Sequence, residues 1–588
     1  MKHFLLFAFI LFLSPISAQE KTDIEWWNPA EHEFPVISGQ AWPNEVESHF
    51  HRLPARAEQN VRTAVWNLSK QAAGLSIRFW SNAKNIHVKY TLKGNLSLPH
   101  MPATGVSGLD LYGKTPHGDW IRHWGFYSLD KESNYTFTID SDTQAYYQYG
   151  REYQLFLPLY NEIASLEIGI EDGSYLNPLP IRKEKPIVAY GTSICQGACA
   201  SRPGMAWTNI LERRLDRSII NLGFSGNGRL EPELIELMTE IDAKLYILDC
   251  LPNLSPNRDN TQLLLLNAVK RLKEKRPHTP IILTAHVGYA DDFTNQENKD
   301  RYIPLNEDLE KAFYQLKSEG YTDVFLLAKD TIGLGFDSFV DIIHPNDYGM
   351  LQYADAYEQL IREILHEPKG EIPTTIPKTQ GRDIAVYQWE NRHQQILEAN
   401  SLNPPKICLF GDSIINFWGG EPKSSIANGA DSWEEILSPL GIRNFGYGWD
   451  RIENVLWRVQ HGELDGFESE SIILMIGTNN LHLNTDSEII SGLRNLIQAI
   501  KTRQPKSQLH LIGILPRMGK ETRVREINLK IAELAQLENI PYADIGSPLL
   551  LENGTLNESL FTDGLHPNAE GYRLLAQQLV SQLQKASE

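Results

Sequence analysis

The chain has 588 residues and a formal net charge of −19 at pH 7, with 41% hydrophobic and 22% charged residues. That length exceeds what one core organises and points to about three domains. The acidic balance excludes a general binder of nucleic acid or of anionic membrane surfaces, both of which require basic patches. An anionic small substrate is not excluded, because a local arginine overrides a distant field.

The first residues set the compartment. Met1-Lys2-His3 is a short basic start, residues 4–13 are an apolar run too short to span a bilayer, and Ile16-Ser17-Ala18 offers small residues for signal-peptide cleavage. Residues 1–18 are predicted to be a secretory signal, giving an exported, periplasmic or secreted protein. No Cys follows the apolar run, and no later stretch reads as an integral membrane segment. Four Cys in so long a chain make no disulfide framework; Cys195 and Cys199 either bridge or remain small buried hydrophobes.

Residues 19–183 are predicted to form a β-sandwich domain. The stretches 76–80, 86–90, 135–139 and 166–170 alternate with a two-residue period, and Gly, Asn and Pro separate them. The 13 Trp and 23 Tyr of the chain suit sugar-binding surfaces, but large β-rich cores are the first reading of them.

From 184 the pattern changes to short buried strands at 187–190, 244–249, 281–284 and 324–327, with helical periodicity at 263–275 and 306–318. Such alternation implies a parallel sheet covered on both faces. Residues 184–366 form this first α/β domain. A connector follows at 367–405, Pro-rich at its ends and helical over 387–400. A second α/β domain fills 406–588, with strands at 406–410, 472–476 and 509–513 and helices at 487–502 and 524–538.

The two α/β segments repeat one set of landmarks. The first carries Gly191-Thr192-Ser193, Asn253 and Asp341-Ile342-Ile343-His344; the second carries Gly411-Asp412-Ser413, Asn479 and Asp563-Gly564-Leu565-His566. The Asp follows the Ser by 148 residues in one and 150 in the other, and Pro-Asn follows each His. A lone Ser after a strand is more often a turn or helix-cap residue. Two copies of one order at one spacing favour chemistry: Ser193 or Ser413 as nucleophile, His344 or His566 as general base, Asp341 or Asp563 orienting the imidazole. Asn253 and Asn479 offer amide donors to an oxyanion, and Gly226 offers a bare backbone N–H.

These blocks resemble the SGNH (GDSL-type) hydrolases. The resemblance implies flavodoxin-like three-layer α/β/α domains, and neither metal nor cofactor. It makes Ser193, Gly226, Asn253, Asp341 and His344 one site, and Ser413, Asn479, Asp563 and His566 another. Residues 406–575 are similar to the catalytic subunits of intracellular platelet-activating-factor acetylhydrolase, through Asn444-Phe445-Gly446-Tyr447-Gly448, Gly477-Thr478-Asn479-Asn480 and Leu515-Pro516-Arg517. One departure stands out: Trp449 occupies the position of the oxyanion glycine. The first half resembles proteins in which a β-domain with a Gly-x-Asp-Leu-Tyr motif, here Gly108-Leu109-Asp110-Leu111-Tyr112, precedes a GDSL-type domain. The whole layout is similar to sialate O-acetylesterases of Bacteroidetes, and related modules occur in acetylxylan esterases. The expected activity is removal of O-acetyl groups from a glycan, with no nucleic-acid partner. One hydrolase domain serving as a silent glycan-binding or structural module is the alternative. Arg202, nine residues after Ser193, is a candidate for gripping a substrate carboxylate, against the plainer reading of a solvated loop residue.

Overall fold

The computed structural model describes residues 23–115, 118–139, 150–255, 259–382 and 388–587. The predicted signal segment lies outside the described residues. No helix among them is long and apolar enough to cross a membrane.

The N-terminal domain is two antiparallel sheets packed face to face. One has the order Ile24–Trp27, Ile163–Glu171, Asn85–Leu92, Glu132–Thr138, Gly125–Ser128; the other runs Leu176–Pro178, Ser76–Ser81, Arg151–Phe156, Asp110–Lys114, Trp120–His123. Asn85–Leu92 alternates buried and more exposed positions, with Ile86, Val88, Tyr90 and Leu92 facing the core, as the two-residue period requires.

Each hydrolase domain is a five-stranded parallel sheet with its first strand second in the order. In the first domain the order is Ile219–Gly223, Ile187–Gly191, Leu245–Asp249, Ile281–Thr284, Val324–Leu327. In the second it is Ile442–Gly446, Ile407–Gly411, Ser471–Met475, Gln508–Ile512, Tyr542–Ala543. This 2-1-3-4-5 arrangement is the flavodoxin-like one, and its crevice opens at the carboxyl ends of the strands where the order reverses. Nearly every residue of the first four strands is buried because helices cover both faces of the sheet.

The connector region is part of this architecture. Its helix Trp389–Leu402 buries Trp389 and Ile396 in the core of the second domain, and Arg392 donates to the carbonyls of Gly446 and Pro422, each at 2.8 Å. The β-domain treats the first hydrolase in the same manner. Buried Arg52 donates to the carbonyls of Gly223 at 2.8 Å and Asn221 at 3.1 Å, the end of the corresponding strand. Buried and half-buried charges join the domains elsewhere: Arg182 with Asp216 and Glu390, Arg78 with Glu152 and Glu390, and Lys244 with Asp465. A cavity of about 670 Å³ at this junction is lined by such charges, among them Arg217, Lys244, Asp465 and Arg503, and contains no member of either Ser/Asp-x-x-His set.

Candidate active sites

Ser193 and Ser413 stand where a buried strand turns into a short helix, Ser193–Gln196 in the first domain and Ser413–Asn416 in the second. The residue before each serine caps that helix: Thr192 Oγ1 accepts from Ile194 N–H at 3.3 Å, and Asp412 Oδ1 from Ile414 N–H at 3.0 Å. One acceptor oxygen suffices, so Thr replaces Asp in the first block at no geometric cost. It also avoids a buried acid: burial pushes Asp412 up to about 7. The glycine ending each first strand is required by close approach. A Cβ on Gly191 would lie 2.8 Å from the Asp249 carbonyl, and one on Gly411 2.8 Å from the Met475 carbonyl.

The loops before the last helix of each domain bring the other two groups. Ser193 Oγ lies 3.0 Å from His344 Nε2, and His344 Nδ1 lies 2.7 Å from Asp341 Oδ2. In the second domain Ser413 Oγ is 2.8 Å from His566 Nε2, and His566 Nδ1 is 2.6 Å from Asp563 Oδ2. The three-residue spacing works because each carboxylate bridges its own loop: Asp341 Oδ1 accepts from Ile343 and His344 N–H, and Asp563 Oδ1 from Leu565 and His566 N–H. Partial burial opposes ionisation of both carboxyls. Hydrogen bonds from the imidazole and from these N–H groups outweigh it and hold Asp341 and Asp563 below the usual carboxylate value. An ionised Asp on Nδ1 fixes the tautomer in which Nε2 accepts the serine proton.

The oxyanion candidates also lie in matching positions. Gly226 has φ +69° with open space where a Cβ would stand, and Trp449 has φ +64°. The tryptophan therefore keeps the left-handed backbone of the glycine it replaces, at a cost of about 1 kcal/mol, and its half-exposed indole adds a wall. Asn253 Oδ1 accepts from Gly228 N–H at 3.1 Å. Asn479 spends one amide proton on the Asp450 carbonyl at 2.9 Å, which leaves its second N–H for a ligand.

One sequence reading changes and one open alternative is decided. Arg202 is not a solvated loop residue but is engaged by the β-domain through Nη1. Its Nη1 donates to Asp110 Oδ2 at 2.8 Å and to Tyr112 Oη at 2.7 Å, and Asp110 Oδ2 also accepts from Gly204 N–H at 2.8 Å. The Gly-x-Asp-Leu-Tyr motif thus clamps the loop that follows the Ser193 helix. Tyr160 of the β-domain adds a hydrogen bond from its hydroxyl to the Ser193 carbonyl at 3.2 Å. Cys195 and Cys199 are both buried free thiols.

No metal-ligand cluster is visible in the linear pattern, yet the fold gathers one group of donors. Among the described residues, His100 of the β-domain, Cys199 and His344 bring ligand atoms within 4.8 Å of one another. The His100 ring lies 5.4 Å from that of His344; at the second site the ring beside His566 is Phe417, at 4.9 Å. His100 lies 93 residues before Ser193 on another domain, and nothing in the linear pattern marks it.

Two 2-1-3-4-5 sheets, each with a serine after the first strand and an Asp-x-x-His loop before the last helix, define the SGNH class of hydrolases. The chain belongs to the GDSL-like lipase/acylhydrolase family: models of that family match residues 184–362 and 409–574, and the model for the N-terminus of SGNH hydrolase-type esterases matches 24–176. It is therefore an esterase-type hydrolase with two such domains. Platelet-activating factor acetylhydrolase IB subunit alpha2 of Rattus norvegicus is 30% identical over 213 residues, covering 35% of this chain and 87% of that subunit. Subunit alpha1 of Homo sapiens is 29% identical over 216 residues, 36% of this chain and 87% of that subunit. Among solved structures, a Bacteroides ovatus protein described as a GDSL-like lipase is 32% identical with a TM-score of 0.53, covering 58% of this chain and 98% of that one.

Proposed function

We propose that this chain is an exported serine esterase that removes O-acetyl groups from glycans, O-acetylated sialic acid first among them, using Ser193 and Ser413 as separate nucleophiles. The observation that carries the reading is the assembly of both Ser-His-Asp sets at hydrogen-bond distance. In each domain the imidazole Nε2 takes the serine proton as Oγ attacks the ester carbonyl, and Asp341 or Asp563 stabilises the imidazolium. Gly226 N–H and Asn253, or Trp449 N–H and Asn479, donate to the tetrahedral oxyanion. As the tetrahedral intermediate collapses and the bond to the sugar oxygen breaks, the imidazolium protonates that oxygen to the free hydroxyl, and water, deprotonated by the same imidazole, then releases acetate from the acyl-serine. No metal or cofactor is used in these steps.

Acetyl specificity draws support from the acetylhydrolase relatives. Glycan specificity draws it from the β-domain, where Trp124, Phe126 and Tyr127 are exposed in and beside an edge strand and suit stacking on sugar faces. The division at 19–183, 184–366 and 406–588 is part of the proposal, with the 367–405 connector contributing its helix to the core of the second hydrolase. Acetate release from acetylated sialic acid, acetylated xylan and a short-chain lipid ester, measured in parallel with labelling by a serine-directed phosphonate, tests it. Sialate turnover with label on Ser193 and Ser413 is expected. Faster release from xylan would replace the sialate assignment, and loss of activity in chelator restored by zinc would replace the serine mechanism.

A further inference from the structure

We propose that the mouth of the first site is an inhibitory zinc site, in which His100, Cys199 and His344 bind Zn²⁺ and withdraw the general base from Ser193. The inhibitory effect rests on the catalytic reading of Ser193 and His344; the binding of metal does not.

The three side chains come from distant parts of the chain. His100 lies in a β-domain loop closed by the Leu98–Met101 bridge, Cys199 lies on the left-handed turn just after the Ser193 helix, and His344 lies in the Asp-x-x-His loop. Zinc bonds of about 2.1 Å to nitrogen and 2.3 Å to sulfur need donors roughly 3.5 Å apart in a tetrahedron. The ligand atoms already lie within 4.8 Å of one another, so closure requires movements on the order of 1 Å. His100 is exposed and can supply most of them.

His344 is prepared for the role by the bond that prepares it for catalysis. Asp341 holds Nδ1 at 2.7 Å, leaving Nε2 as the free donor, which is the carboxylate–histidine–metal arrangement of ordinary zinc sites. Nε2 cannot serve Ser193 Oγ and a metal at once. Two imidazoles and a thiol form a set that favours zinc over magnesium or calcium. Without metal, burial and the nearby Asp341 charge keep the Cys199 thiol neutral. It points toward the His100 carbonyl at 3.4 Å. On binding, the S–H bond breaks, the S–Zn bond forms and the proton leaves to solvent. No electron changes hands.

The second site is an internal control. Six residues after Ser413 stands Gly419 where Cys199 follows Ser193, and the ring beside His566 is Phe417, which has no ligand atom. Zinc should therefore separate two sites that otherwise share their chemistry.

The test uses the full chain as Ser413→Ala, which reports the first site, and Ser193→Ala, which reports the second, with a chromogenic acetyl ester and added Zn²⁺. First-site activity should fall and return with chelator, while second-site activity should change little. Rates are normalised to the zinc-free protein of each variant. Cys199→Ser and His100→Ala in the Ser413→Ala background should each weaken zinc inhibition by at least about tenfold. Cobalt added to Ser193→Ala should produce a thiolate-to-cobalt charge-transfer band that Cys199→Ser removes, with thermal unfolding confirming that each variant is folded. This readout needs no turnover, so failure of Ser193 as nucleophile and failure of the metal site are distinguishable. Equal zinc inhibition of both sites, inhibition unchanged by Cys199→Ser, or a missing cobalt band would each overturn the proposal.

Discussion

Replacing Asp110 by Asn tests whether the Gly-x-Asp-Leu-Tyr motif holds the first site together. The carboxylate is buried and accepts from Arg122 Nε at 3.0 Å, Arg202 Nη1 at 2.8 Å and Gly204 N–H at 2.8 Å. An Asn has the same shape but only one acceptor oxygen and no charge. With that oxygen facing Arg202 and Gly204, both bonds lose the carboxylate's charge, the Arg202 ion pair becoming a cation–amide contact, at a loss of roughly 1 kcal/mol each. The third becomes a contact between two donors, costing a further ~1 kcal/mol because the Arg122 side chain is partly exposed and water replaces some of what is lost. The sum is about 2–4 kcal/mol, equivalent to a fall in Tm of about 5–10 °C for a unit of this size. The clamped loop begins eight residues after Ser193, so a shift there should lower first-site kcat/KM by roughly 10–100-fold. In the Ser413→Ala background, thermal unfolding and acetyl-ester turnover measure both effects. In the Ser193→Ala background, second-site turnover should change by less than about twofold, because that site shares no partner with Asp110. An Asn variant with unchanged Tm and unchanged first-site kcat/KM would refute the clamp.

Ser193→Ala should remove most glycan-directed activity, Ser413→Ala less, and the double variant should fall by about 10⁴–10⁶-fold; full activity in the double variant would discard both sites. Trp449→Gly keeps the backbone direction and removes the wall, so the second site should gain rate on bulky acetylated glycans relative to a small acetyl ester, as parallel assays in Ser193→Ala would show. Asp249 is buried at the end of its strand, and burial pushes it up to about 7, a rise that the nearby Tyr357 hydroxyl only partly offsets. The folded state then holds this proton more tightly than the unfolded chain, so Asp249 lowers stability as pH rises from about 4 to about 7, with the full penalty above that window. Asp249→Asn should therefore raise stability above pH ~7 by up to roughly 4 kcal/mol, read as a higher Tm, and change it little near pH ~4; a gain independent of pH would refute the assignment.

Much of this molecule is legible in the linear pattern. The strands Ile281–Thr284, inside the sheet, and Val324–Leu327, at its edge, fall where short apolar runs place them, because strands covered by helices on both faces need no alternation. The helix Gln296–Ser318 begins ten residues before its periodic stretch, since Pro304 inside it reads as a break. The strands Ile219–Gly223 and Ile442–Gly446 are edge strands whose Asn-x-Gly ends look like turns; they become strands by pairing with their neighbours. Both Ser/Asp-x-x-His sets are visible because repetition supplies the signal that one copy lacks. The role of Asp110, the engagement of Arg202 and the approach of His100 depend on docking between domains, and no local period records such a contact.

Arg52 and Arg392 imply a rule for cutting this protein into working parts. Each hydrolase sheet receives an arginine on its edge-strand carbonyls from the segment that precedes it in the chain. The minimal portable unit is therefore a hydrolase together with its upstream neighbour, and the apparent boundary at 406 falls inside a unit. A fragment starting there would lose Trp389, whose Nε1 donates to Asp450 at 2.7 Å beside Trp449, as well as Arg392 itself. A fragment that also includes residues 378–405 would carry Gln380, whose side chain reaches the Gly448 carbonyl at 2.8 Å, and so keep the loop that frames the second serine. For anyone grafting either catalytic module onto another scaffold, the transferable piece begins well before the first strand.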